Sequence, residues 1–455
     1  MKKRMYKIMA LAMTAAMVVP MAAQTTAFAA DDKEITYWNI AVESPDKDIV
    51  TAAVDKFNKE TESGYTVNSV AIQNDTYKEK LVIAMSSGEC PDMYSSWSGG
   101  PMYEYIDSGF AQPIDDLLDQ SDLKDKLLDA AIEQGSYNGH VYAIPYLNVS
   151  LAGIFYNKDM FKQYGLEEPK TLADLENICA TLKENGITPF ALANGSKWTG
   201  SMYFMSLAAR YGGLEPFQNA VAGTGKFTDD CFIKAGEKIQ EWVKNGYFPD
   251  GVNSLSEDDG QAKQLMYQET AGMLLCGSWY TGTFQTDSEE FYQKIGWFPF
   301  PAIDDSDADP TIQIGTVGDQ FISFNCEGDK LAAAFECAAD HLSDEVEDMI
   351  YSTGKIAPVK DAGDHISDPV VKEIFDAAQE ASSIQLWYDQ YLPTSVASAH
   401  LDGLQEVFGL TKTPQEAQEE MQTAMDEYLS TKSDSGAADD TAEEATDDAA
   451  ADDAE

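Results

Sequence analysis

Apolar and polar positions follow two rhythms along the first part of the chain. Residues 35–40 form a short β-rich run, ITYWNI, and residues 65–72 alternate with period two, as strands do. Between them, residues 48–60 carry Ile49, Ala52, Ala53 and Phe57 on one helical face. Residues 77–86 are again helical and stop at Gly88, and Pro91 opens a strand over residues 91–94. Strands alternating with helices predict a parallel α/β sheet. Residues 113–131 predict a further helix, Asn138-Gly139 a turn, and residues 141–144 a short strand before Pro145.

The middle of the chain holds its longest strand-like run, residues 150–156, which ends in Asn157-Lys158-Asp159. An amphipathic segment, Gly165 and Pro169 follow. Thr171 then opens a helix over 171–185, with Asp174 three residues on as a capping-box partner, and Gly186 ends it. Helical spacing returns over residues 202–211, 232–245, 258–267 and 330–343, and over 370–381, 396–408 and 414–429. From Lys432 the sequence SDSGAADDTAEEATDDAAADDAE has no aromatic or large apolar residue, so residues 432–455 are expected to be a disordered acidic tail.

The N-terminus changes the picture of where the chain works. Lys2, Lys3, Arg4 and Lys7 precede an apolar core over residues 8–21, which is too short to span a membrane stably, and Ala27-Phe28-Ala29 has the form of a cleavage site. Residues 1–29 therefore read as a signal peptide of an exported protein. The first cysteine is Cys90, so no lipid-attachment cysteine follows the cleavage site. An extracellular, envelope or periplasmic location is expected.

Composition narrows the function. A formal charge of −48 over 455 residues excludes a nucleic-acid partner, whose phosphates need Lys and Arg, and disfavours anionic ligands. The six cysteines are scattered without metal-ligand spacing, and none of the four histidines pairs at i,i+4, so neither a metal nor a cofactor is expected. Asp305, Asp307 and Asp309 imitate a calcium loop, but Pro310 and Thr316 stand where its Gly and closing Glu belong. Residues 220–227, AVAGTGKF, lack the first Gly and the final Ser or Thr of a P-loop, and no G-x-S-x-G occurs.

Several segments in order resemble one family. Residues 78–92, KEKLVIAMSSGECPD, resemble a first-lobe helix, turn and strand start. Residues 139–156 resemble a first hinge strand, and QETAGMLLCGSW at 268–279 resembles an "A-x-M-x-x-x-G-x-W" strand and loop. GWFPFP at 296–301 and GTVGDQFIS at 315–323 resemble a second hinge approach. Together they resemble extracellular solute-binding proteins of family 1, which include the maltose-binding protein, from about residue 35 to 429. The resemblance implies an α/β, two-lobed periplasmic-binding-protein-like fold with discontinuous lobes joined by hinge strands. The expected divisions are residues 31–147 plus 319–358 for lobe 1 and 148–318 plus 359–431 for lobe 2. It also implies a monomer that captures an oligosaccharide between its lobes, delivers it to membrane ABC permease subunits and performs no catalysis.

Trp97, Trp198, Trp279 and Trp387 are the candidates for a sugar site, because each lies in a polar or turn-like context. An indole can stack on the C–H face of a pyranose while polar neighbours take its hydroxyls. Trp38, Trp242 and Trp297 sit in apolar-periodic segments and read as core. Glu43, Asn148 and Asp389 are the expected hydroxyl partners. Asp92 and Asp319, in so acidic a chain, read individually as solvated surface. Two alternatives stay open at this point: a binder of a cationic or peptide-like solute, favoured by the charge, and a secreted glycoside hydrolase with paired carboxylates.

Overall fold

The computed structural model describes residues 33–447, with side chains through residue 432. The signal segment lies outside the described residues. Two main sheets organise the chain. The first has the spatial order Thr66–Ala71, Glu34–Asn39, Met93–Ser96, Gln320–Phe324 and Ala143–Tyr146. The second runs Ile384–Gln385, Gln313–Val317, Val149–Asn157, Ala271–Gly277 and Thr188–Phe190, and Ile295–Pro299 also pairs with Val149–Asn157. This is a mixed α/β, two-lobed architecture.

The predicted parallel arrangement holds for the first three strands, which the helices Asp46–Glu60 and Asn74–Ser87 connect. Gln320–Phe324 instead runs antiparallel to both of its neighbours, because it enters the sheet on the chain's return from the other lobe. Local spacing carries no information about that return.

The strand Val149–Asn157 is buried along its whole length. Its first residues pair with Gly315–Val317 and its later ones with Ile295–Pro299 on the same side, while Ala271–Gly277 lines the other. The chain leaves the first sheet between Tyr146 and Val149 and re-enters it between Val317 and Gln320. These two short passages are where the sheets join.

The capping box at Thr171 forms as expected. Thr171 Oγ1 accepts the Asp174 N–H at 3.2 Å, and Asp174 Oδ2 accepts the Thr171 N–H at 3.0 Å. Residues 113–131 do not form one helix. They break into Asp115–Asp119, Leu123–Lys126 and Asp129–Gln134; at the second break the Leu128 N–H leaves the helical ladder to donate to the Pro358 carbonyl at 3.0 Å. Helical spacing was right for the buried leucines, but a tertiary partner took the backbone. The last helix, Pro414–Asp447, continues past Lys432 into the segment expected to be disordered. That stretch is rich in alanine, which favours a local helix without giving it an apolar face to bury.

Trp242 and Trp297 are fully buried, as expected, and Trp38 packs against a small cluster with Tyr77 and Tyr94. All six cysteines are free thiols. Among the described residues, no helix is long and apolar enough to cross a membrane, and no cluster of His, Cys, Asp or Glu could hold a metal ion.

Candidate functional site

A cavity of 240 Å³ opens where the strands of both sheets end and their loops face each other. Such strand-end crevices are where α/β proteins take ligands. Trp97, Trp198, Trp279, Trp387, Glu43 and Asp389 all line it. Six of the seven residues expected from the sequence thus come together from distant parts of the chain.

Trp198, Trp279 and Trp387 form one aromatic wall. The Trp198 and Trp279 rings lie 6.0 Å apart at 56°, and the Trp279 and Trp387 rings 5.9 Å apart at 68°. Trp279 follows the strand Ala271–Gly277 and lies directly over Gly277, where an added Cβ would stand 2.0 Å from the indole. Only glycine leaves room for that flat contact. Trp387 is 2% exposed, so it backs the wall more than it offers a face. Met202 and Met205 complete the wall, and Met205 Sδ accepts the Tyr388 N–H at 3.1 Å. Trp97 stands apart, after the strand Met93–Ser96, with the Tyr77 ring on its edge at 6.0 Å and Lys78 Nζ 5.0 Å from its centroid.

The charged residues are mostly tied to one another. Lys78 pairs with Asp389 at 3.3 Å, Lys263 with Glu43 at 3.4 Å and with Asp287 at 3.0 Å, and Lys355 with Asp46. Glu257 accepts a bond from the Tyr280 hydroxyl, while its Oε2 is buried without a partner. Burial pushes the Glu257 carboxyl up to about 7 and that of Asp319 up to about 6. Asp319 lines the cavity and is not solvated surface, and Gln320 stands beside it. Asp92 is held away from the cavity by Thr36 and Lys330.

Asn148 is placed elsewhere. It is 1% exposed and does not line the cavity. Its Nδ2 donates to Ser150 Oγ and Ser278 Oγ, both at 3.2 Å, and its Oδ1 accepts the Ile356 N–H at 2.8 Å. Every polar atom of its amide is engaged in fastening three chain segments where the sheets join. Sequence reading missed Lys78, Lys263, Lys355, Glu257, Asp319 and Tyr280. Tyr280 had a signal, its place beside Trp279. The three lysines and Glu257 had none: Lys78 and Lys263 reach the cavity from helices with exposed faces, and Lys355 from a buried loop whose place no local pattern gives.

A strand-end cleft between two lobes, walled by indoles, is the kind of site a solute-binding protein offers. The profile described as "Bacterial extracellular solute-binding protein" matches residues 41–339, and the chain belongs to that family. Membership of a solute-binding family speaks against the glycoside hydrolase alternative. An uncharacterised ABC transporter extracellular-binding protein of Pyrococcus horikoshii is 32% identical over 228 residues, covering 50% of each chain. The chain spans about half the length of the curated relatives it matches. A structure from work on xylan utilization by the thermophilic bacterium Caldanaerobius polysaccharolyticus is 29% identical with a TM-score of 0.78, covering 86% of this chain and 99% of that one. A chitin oligosaccharide binding protein shares the fold with 24% identity and a TM-score of 0.79, over 87% of this chain and 98% of its own.

Proposed function

We propose that this protein captures an oligosaccharide in the cleft and delivers it to the membrane subunits of an ABC importer, acting as an exported monomer. The observation that carries the reading is the wall of Trp198, Trp279 and Trp387, lining with Trp97 a cavity rich in carboxylates and amides. Stacked indoles take the C–H faces of sugar rings, and carboxylates and amides take the hydroxyls at their rims. The named neighbours, one from xylan utilization and one a chitin oligosaccharide binder, support the same ligand class.

Calorimetry against xylo-, cello-, malto- and chitin oligosaccharides tests the reading, with chromatography of the mixture afterwards. Saturable binding with the sugar recovered unchanged is the expected result. Failure of every sugar to bind would overturn it. A second reading, a cationic solute, is favoured by Glu257, Asp258 and Asp319, which line the cavity and, among the described residues, form no salt bridge within 4.0 Å. Polyamines in the same calorimetric series separate the two.

A further inference from the structure

The cleft lining holds six carboxylates, from Glu43, Asp46, Glu257, Asp258, Asp319 and Asp389, against three ammonium groups and no guanidinium. Each of those lysines is already committed to a carboxylate: Lys78 to Asp389, Lys263 to Glu43 and Asp287, Lys355 to Asp46. An anionic ligand would lose its hydration there without gaining a free cation in exchange.

Lys78 is the lysine placed to change that. It rises from the helix Asn74–Ser87 and stands over the Trp97 ring, 5.0 Å from the centroid. Asp389 reaches it from the short helix Tyr388–Tyr391 on the opposite side of the cleft, at 3.3 Å. Asp389 is the better buried of the two, with 8% of its side chain exposed against 34% for Lys78. Asp258 also feels the Lys78 charge, and its Oδ2 is fixed by the Asp75 N–H at 3.0 Å. A sugar stacked on Trp97 would meet Lys78 at its rim, but only after Asp389 has neutralised it.

We propose that Asp389 is a specificity determinant: by holding Lys78 beside Trp97 it makes that end of the cleft accept an uncharged sugar ring and reject one bearing a uronate, sulfate or phosphate. The inference rests on the oligosaccharide reading above and narrows it to neutral glycans.

The test is calorimetry with matched probes: neutral xylo-oligosaccharides and cello-oligosaccharides against glucuronic-acid-bearing xylo-oligosaccharides and oligogalacturonates. Wild-type protein should bind a neutral probe at least about tenfold more tightly than its acidic counterpart. Asp389→Asn should shrink that ratio by about tenfold, by freeing Lys78 for the ligand's anion. Adding Lys78→Met to that variant should restore discrimination, which a merely structural role for Asp389 would not produce. Asp258→Asn relieves the same ammonium without touching Asp389. It should shift the ratio in the same direction by a smaller factor, and it serves if Asp389→Asn does not fold. Equal wild-type affinity for both probe classes overturns the inference and leaves the sugar reading standing. So does a ratio unmoved in both variants, or a gain that persists without Lys78. If neither class binds at all, the sugar reading and this inference fall together.

Discussion

Trp279 owes its position to the residue two before it. Gly277 is buried at the end of an apolar strand, and the indole lies where any side chain on that residue would be. Trp279→Ala should cost about 2 kcal/mol or more of sugar binding, roughly thirtyfold in affinity, with a melting temperature close to wild type. Gly277→Ala should do the same from beneath, by pushing the ring out of the wall. Calorimetry beside a thermal melt checks both; full affinity with a collapsed melting temperature would return Trp279 to the core. Glu257 carries a different prediction. Its carboxyl is raised by burial, with Asp258 and Asp75 adding to the rise and Tyr280 and Lys263 opposing it. The folded chain therefore keeps a proton that the unfolded chain loses, and this contribution to stability fades as pH climbs from about 4.5 to about 7. Buried His341 and His400, pushed down to about 4 and about 3, act oppositely and lose stability as pH falls below their ordinary range. Comparison with Glu257→Gln isolates the first effect: the variant should gain on wild type between about pH 5 and about pH 8. Parallel melting curves across that range would show that the carboxyl does not titrate there.

Among the elements, the strand Val149–Asn157 does the joining, and Asn148 at its head ties it to the neighbouring passages. Removing that amide leaves the buried Ile356 N–H without its acceptor and loosens Ser278, which donates to the Val149 carbonyl at 3.1 Å. Asn148→Ala should lower stability by about 1–3 kcal/mol, the cost of an unsatisfied buried group. Sugar affinity of the folded fraction should change far less than in Trp279→Ala. Denaturant melts with and without ligand check this, and an affinity loss as large as that of Trp279→Ala would make Asn148 a contact residue after all. The capping box at Thr171 was legible because all its parts lie within four residues. The second break in the helix over 113–131 was not, because the partner of its Leu128 N–H is Pro358, far along the chain.

For the whole molecule, the lobes touch across the cleft at defined places. Lys78 meets Asp389, Lys263 meets Glu43, and Glu104 accepts both the Thr394 N–H at 3.0 Å and its hydroxyl at 2.6 Å. Backbone meets backbone at Gly99 and Gly100, where an added Cβ would stand 2.3 Å from the Gln390 and Leu392 carbonyl oxygens respectively. If the lobes close on a hinge, these are the contacts that closure forms, and ligand must favour that state. Small-angle scattering should show a smaller radius of gyration with saturating sugar than without. Gly100→Ala should suppress that change by wedging the rim. An identical profile in all three samples would count against a hinged cleft.

The sequence alone determined what local pattern and composition can determine. Periodicity placed most helices and strands, and polar, turn-like surroundings singled out Trp97, Trp198, Trp279 and Trp387, all of which line the cleft. Asp389 and Glu43 were also legible, but as free hydroxyl partners; the structure pairs each with a lysine. Tertiary structure decided the rest. It turned Gln320–Phe324 antiparallel, moved Asn148 from the cleft to the joint, and brought Asp319 and Glu257 into the cavity. The physical reason is the same in each case. A side chain's partner, and hence its charge state and role, is set by what lies across space, and the lobes are built from segments hundreds of residues apart, so no local window holds both halves of an interaction.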